Sequence, residues 1–298
     1  MNLPSYDKVL SDRQIFWHFY KKSTTDVIGL IVLFLILIVI FVIPSFVNMD
    51  PYTQDITKRL LPPSWVEGGE LRHFLGTDEF GRDFLSRLLH GGANTIAFAF
   101  LATVCASAAG IVLGILTGID RHHIRSSLVR HSFDIIFAVP SILIVFVVVS
   151  ILSPTLPHAS LAIAISLLPR FIHTTYNAVK HEIVKDYIKA NILDGSSRLQ
   201  LTLQCIIPNI LSVITINFWE AFAVAVLDIS AIGYLGLGAQ APEPEWGSML
   251  ISGMDLIYIG NSKAIIPGIA IGITIAAIAQ VGHGIGRVLT MGEKNGFN

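Results

Sequence analysis

Three ionisable side chains, Arg170, Glu220 and Asp228, fall inside apolar stretches long enough to cross a bilayer. An arginine at bilayer depth costs roughly 2.5–3.5 kcal/mol on insertion scales, so it must face a polar partner or a watery path. Arg170, in Leu167-Leu168-Pro169-Arg170, either does so or ends its span early and snorkels to the membrane surface. Glu220 and Asp228 stand eight positions apart, within about a quarter turn of each other on a helix. They either pair with Arg170 or line a route that favours cations, because carboxylates in low dielectric attract cations strongly. His122, His123 and His131 cluster, but no carboxylate or thiolate stands at ligand spacing, so no metal site is expected. Nor is there a nucleophile–base constellation for an enzyme. The sequence has no G-x-x-x-x-G-K-[ST] phosphate loop, so it is not expected to bind or hydrolyse ATP.

The elements that position these residues follow from composition. With 53% hydrophobic and 14% charged residues, the chain is far from a soluble average. A net charge of -1 argues against nucleic acid as a partner. Cys105 and Cys205 lie in different settings, which suggests no disulfide framework. A helical span needs about 20 apolar residues. The run 27–47 carries no charge and is too long for a signal h-region, so it is expected to stay as a span. Further runs at 94–118, 133–152, 159–178, 210–232 and 264–289 bring the expectation to six spans. Pro140 is expected to kink the third. Thirteen of the 20 Lys and Arg fall in segments on the N-terminal side, which places both termini in the cytoplasm. The expected division is a cytoplasmic segment 1–24, a first span 25–47, a periplasmic loop with an interfacial helix 48–93, and a five-span core 94–298.

The longest polar interruption of the second half is 180–209, which reads as two short helices broken at a glycine. Asp186 can cap the first helix, and Ile183, Tyr187 and Ala190 share one face of it. Gly195 ends it, since glycine enters the left-handed conformation without steric cost. Ser197 and Gln200 form a capping box for the second helix, whose apolar face is Leu199, Leu203, Ile206 and Ile207. Pro208 marks the next boundary. Ahead of the second span, Thr77 or Asp78 can cap a helix ending near Gly91, with Phe84, Leu85, Leu88 and Leu89 on its membrane face and Arg82, Asp83 and Arg87 elsewhere. Small residues recur at every fourth position from Ala102 through Ala106, Gly110 and Gly114 to Gly118, and again at Gly268, Gly272 and Ala276. Such faces let helices approach closely; the first is also a surface on which a second subunit could slide.

Several stretches carry a resemblance. Tyr187, Ala190, Asp194, Gly195, Ser196, Ile207 and Pro208 resemble the EAA loop of ABC-importer permeases, where the cytoplasmic ATPase docks. That family usually has a second alanine where this chain has Asn191. LGTDEFGRDFLSRLLHG at 75–91 matches the LGTD-x-x-GRD-x-LSR signature of the dipeptide/oligopeptide (DppC/OppC) permeases, although Asn94 replaces a common arginine. The segment 228–250, DISAIGYLGLGAQAPEPEWGSML, resembles the same family over nearly its whole length. There Gly236 and Gly238 permit tight turns, Pro242 and Pro244 stiffen the loop, and Trp246 suits a membrane interface. LLPPSW, LLPR and LDGSS resemble the Sap branch.

The resemblance implies an all-α integral membrane protein, a six-span bundle of the type I ABC importer kind in the bacterial inner membrane. It implies a second, SapB-like permease, two ABC ATPase subunits (SapD/SapF-like) that use ATP and Mg, and a SapA-like periplasmic substrate-binding protein. This chain itself would hold no cofactor. Asp78, Gly81, Arg82, Asp83 and Arg87 are the implied docking residues on the periplasmic side. Alternating access would move peptides, cationic or antimicrobial ones above all, with polyamines such as putrescine as the alternative. A self-sufficient channel or secondary transporter and a membrane scaffold for ATPases are the readings from other classes. No inverted repeat of broken helices favours the former.

Overall fold

The computed structural model describes residues 12–46, 50–119, 139–257, 263 and 265–294, and His122, His123 and His131 lie outside them. The described residues are helical apart from loops and one isolated antiparallel bridge, Thr77–Asp83. In chain order the helices are α1 (Asp12–Tyr20), α2 (Thr24–Phe46), α3 (Phe84–Ile119), α4 (Ser141–Leu152), α5 (Leu156–Glu182), α6 (Asp186–Leu193), α7 (Arg198–Tyr234), α8 (Trp246–Ile257) and α9 (Ile265–Lys294). Four of them, α2, α3, α7 and α9, are long and apolar enough to cross a membrane by length and composition. α5 coincides with the expected fourth span, and α4 covers the described part of the third. Pro140 stands at the N-cap of α4 rather than inside it, so it starts the helix instead of kinking it.

Close approach at glycine organises the bundle. In α3 a Cβ on Gly110 would meet Phe171, one on Gly114 would meet Thr175 and one on Gly118 would meet Val179, all under 3.0 Å. The rising numbers on both sides show that α3 and α5 run parallel. The ladder is buried against α5, so the alternative of a sliding surface for another subunit does not hold. The stripe expected on α9 is corrected. Gly268 does lie close to Leu250 of α8, but a Cβ on Gly272 would meet nothing within 4 Å and Ala276 is exposed, whereas Gly282, Gly284 and Gly286 stand against Trp219, Tyr20 with Asp26, and Ile216. These contacts set α9 antiparallel to α7 and to α2. The starts of α2 and α7 and the ends of α3, α5 and α9 therefore share one end of the bundle, and the loops 50–83 and 235–245 share the other.

At the first end, Asp26 is buried at the start of α2. It accepts from Gln280 at 2.7 Å and pairs with Arg287. The Tyr20 hydroxyl donates to its backbone carbonyl at 3.2 Å, which ties α1 to α2, and the Tyr20 ring stands against Gly284 of α9. At the other end the expected interfacial helix is absent as a separate element. α3 begins at Phe84 and continues unbroken through Gly91 and Gly92 into the span. Asp83, not Thr77 or Asp78, caps it by accepting from the Ser86 amide at 2.7 Å.

Candidate functional site

Two sites emerge, at one end of the bundle and halfway along it. The first is the loop between α5 and α7. α6 begins at Asp186 with Lys185 at its N-cap, so Asp186 is not the cap. Its carboxylate pairs with Lys189 at 2.8 Å, which lowers its pKa. Ile183 belongs to the end of α5, and the buried residue of α6 is Ile188 rather than the face through Tyr187 and Ala190, both of which are exposed. The helix stops as expected. Gly195 has φ +87, and the amides of Gly195 and Ser196 return to Ile192 and Asn191 at 3.1 Å each. The Ser197–Gln200 box is formed in both directions.

The second loop helix differs from its expected form. Leu201–Ile206 is a π-helical turn, and it joins the loop to the span without a break. The extra residue in the turn shifts the helical phase, so Leu201, Ile206 and Ile210 are buried while Leu199 and Leu203 stay exposed. It also accommodates Pro208, which stands in the first turn after the π segment and ends nothing.

Tyr187 ties this loop to two long helices. Its hydroxyl donates to Glu182, the buried last residue of α5, and accepts from Asn209 of α7 at 3.1 Å. Burial and the Glu182 carboxylate raise the Tyr187 pKa well above the usual phenol value. Glu182 also pairs with Lys185 at 2.7 Å. Asn191 donates to the Tyr187 carbonyl at 2.9 Å, so it reinforces α6 from within. Ala190 and Asp194 lie exposed along the outer side of this loop, and Ser196 is half-buried beside them. Glu182 and Asn209 are functional candidates that sequence reasoning missed. Glu182 is one of several charged residues at the end of α5 and Asn209 lies within α7, and nothing in the local pattern marks either.

The second site lies at mid-helix. Arg170 donates from Nη2 to Glu220 at 2.5 Å and from Nε to Asn217 at 2.8 Å. Arg170 therefore does not leave its span for the surface. Asp228 is buried two turns further along α7. Arg170 and Glu220 line a cavity of about 530 Å³, which shares His173, Thr174 and Val213 with a neighbouring cavity of about 620 Å³. The second cavity ends at Glu182, Lys185 and Asn209, beside Tyr187. One groove thus runs between α5 and α7 from the ion pair to the loop.

The residues expected to dock a delivery protein turn inward. Arg82 and Arg87 are buried, and both pair with Asp78, at 2.6 and 3.4 Å. Arg87 also donates to the carbonyls of Pro51 and Pro242 at 3.3 and 3.1 Å. Gly81 is buried with φ +73, and Asp83 pairs with His73 at 3.0 Å. Asn94 donates to the Pro244 carbonyl at 2.8 Å, and Trp246 to that of Leu88 at 2.8 Å. The segments 75–91 and 242–250 are therefore one structural unit. Trp246 is buried against Gly92 rather than placed at an interface. Among the described residues no group of His, Cys, Asp and Glu could hold a metal ion.

This architecture, a helical bundle with four helices among the described residues long and apolar enough to span a bilayer, is that of a helical membrane protein. Residues 110–291 match the family of binding-protein-dependent transport system inner membrane components, and 11–63 match the N-terminal TM domain of oligopeptide transport permease C. The chain belongs to that family of ABC transporter permeases. It is 41% identical over 239 residues, 80% of each chain, to the peptide transport system permease protein SapC of Escherichia coli O6:H1. It is 36% identical to the di/tripeptide transport system permease protein DppC of Pseudomonas aeruginosa, over 99% of this chain and 98% of that one. Its fold is similar to that of a chain of the inward-facing MetNI methionine ABC transporter, with a TM-score of 0.57 at 20% identity, over 67% of this chain and 94% of that one.

Proposed function

We propose that this chain is one of two permease subunits of an ATP-driven peptide transporter working by alternating access, with the 183–206 loop as the seat of a cytoplasmic ATPase. The observation that carries the reading is the Tyr187 hydroxyl, bonded at once to Glu182 at the end of α5 and to Asn209 of α7. A force applied to α6 reaches both walls of the polar groove through that one group. Exposed Ile192, Leu193, Leu199 and Leu203 give an ATPase an apolar face to grip. ATP and Mg belong to that partner. A second permease closes the groove, and a periplasmic binding protein supplies the substrate over the 50–83 loop. The loop's backbone, held in shape by Asp78, Arg82 and Arg87, is what such a protein meets.

The names of the relatives support peptides as the substrate. A special preference for cationic peptides or polyamines loses the support of Glu220, because Arg170 neutralises it. The test is Tyr187→Phe in the reconstituted complex of both permeases, the ATPases and the binding protein. The lost bond to a carboxylate is expected to lower peptide uptake per ATP by about tenfold, with assembly intact. Uptake per ATP equal to wild type would remove Tyr187 from the coupling path.

A further inference from the structure

Arg170 and Glu220 lie near the midpoints of Leu156–Glu182 and Ile207–Tyr234, the depth at which a charge is most costly in a membrane. Yet the Glu220 side chain is 60% exposed on this chain. A carboxylate at that depth cannot be turned to lipid, so this face meets a water-filled passage or another protein chain. The two bonds of Arg170, to Glu220 and Asn217, use two of the five donors of a guanidinium. Glu220 is bonded through one oxygen, Oε2. Both groups border the same cavity.

We infer that the Arg170–Glu220 pair is a recognition site for the two termini of a short zwitterionic peptide. The peptide carboxylate lies against the guanidinium edge and the peptide ammonium against the Glu220 carboxylate, closing a ring of alternating charge without breaking the pair. This deepens the peptide-permease reading and rests on it. Three features favour termini over a cationic side chain. The pair is neutral as a unit, so a lone cation next to Glu220 is also next to Arg170. A guanidinium presents the parallel donors that a carboxylate fits. Beside the pair, His173 and Thr174 line the same cavity and offer donors and acceptors to peptide amides. A site that reads termini and backbone serves peptides of many sequences.

The test is ATP-driven uptake of trialanine, N-acetyl-trialanine and trialanine amide by proteoliposomes holding the complete transporter. The binding protein also reads its ligand, so the informative quantity is how each preference changes between variants. Glu220→Gln is expected to reduce the preference for trialanine over the acetylated form by about tenfold and leave the preference over the amide in place. Arg170→Gln is expected to do the reverse. Unchanged preferences in both variants, or one equal loss for all three peptides, overturn the inference. Should a single variant fail to assemble, the double variant Arg170→Gln/Glu220→Gln leaves no lone charge and is expected to lose both preferences; retention of either overturns the inference. Failure of all three peptides to move in wild type would instead overturn the peptide reading itself.

Discussion

At the 50–83 loop a set of charged side chains, Asp78, Arg82, Arg87 and Lys263, turns inward, while the 183–206 loop has no buried charge network of its own making and turns Leu193, Leu199 and Leu203 outward. Arg82 and Arg87 have side-chain exposures of 6% and 8% and are used up by Asp78 and by backbone carbonyls. Lys263 reaches in from the chain before α9 to the carbonyls of Leu61 and Thr77 at 2.6 and 2.7 Å, and burial lowers its pKa. Leu193 and Leu199, by contrast, are 87% and 67% exposed and touch little of their own chain. A loop that satisfies its own polar groups keeps one shape unaided. Both loops expose large apolar side chains that a partner can cover, Ile56, Trp65 and Leu71 on the first as well as Leu193 and Leu199 on the second, so the difference between them is the buried charge network of the first. The first behaves as a fixed lid and the second as a handle.

The largest expected effect tests the lid. Arg87→Ala removes one of the two cations at Asp78 and leaves the Pro51 and Pro242 carbonyls without their donor. Breaking a buried pair of this kind costs about 3–5 kcal/mol. Thermal unfolding of the purified subunit should show a large drop in Tm, whereas Leu199→Ser in the other loop should change stability by about 0.5 kcal/mol or less. Equal shifts for the two variants would erase the distinction between lid and handle.

A pH dependence sharpens the same contrast. Glu245 is fully buried ahead of α8, where its carboxylate accepts from Thr95 at 3.0 Å and from the amides of Gly247 and Ser248 at 2.8 Å. Burial raises its pKa to about 7 in spite of those three bonds, which act the other way. A folded-state value above the unfolded one means that the native protein holds this proton more tightly. The stabilisation is fully present below about pH 4.5 and is lost as pH rises through about 7, a difference of about 3 kcal/mol. Glu245→Gln cannot ionise and should flatten that part of the stability–pH curve. A curve of the same slope in the variant would mean that another group carries it. In the handle Asp186 is fully exposed with a lowered pKa, and Tyr187, whose pKa is raised above an already alkaline phenol value, stays neutral through this range.

The spans were legible because about 20 uncharged apolar residues have few other fates. Gly195 and the Ser197–Gln200 box were legible because a left-handed helix end and a capping box depend on residues adjacent in sequence. What sequence alone misplaced depended on phase or on distance. The π turn at Leu201–Ile206 rotates the apolar face, so a face counted at 3.6 residues per turn selects Leu199 and Leu203 where Leu201 and Ile206 are buried. Arg87 read as part of a polar face because two of its acceptors, the carbonyls of Pro51 and Pro242, are far away in the chain. The Arg170–Glu220 pair was one of two open alternatives, and only the antiparallel register of α5 and α7 selects it. Tyr187 is singled out by resemblance alone, whereas its hydrogen-bond partners Glu182 and Asn209 are not, because the three come together only in the folded chain.

A second substitution in the handle is expected to cost less stability than Arg87→Ala and to act mainly on coupling. Gly195 holds φ +87, and a Cβ there would meet nothing within 4 Å. A side chain at this position costs only backbone strain, about 1–2 kcal/mol, and causes no clash. That strain falls on the joint between α6 and α7 and not on the core, so the melting temperature of Gly195→Val should stay close to wild type. If α6 moves with the ATPase, stiffening or redirecting this joint should lower transport per ATP while the subunit remains inserted and assembled. Full transport by an inserted Gly195→Val variant would show that the glycine serves only to end a helix. A fall in Tm as large as that of Arg87→Ala would show that the handle is as rigidly built as the lid.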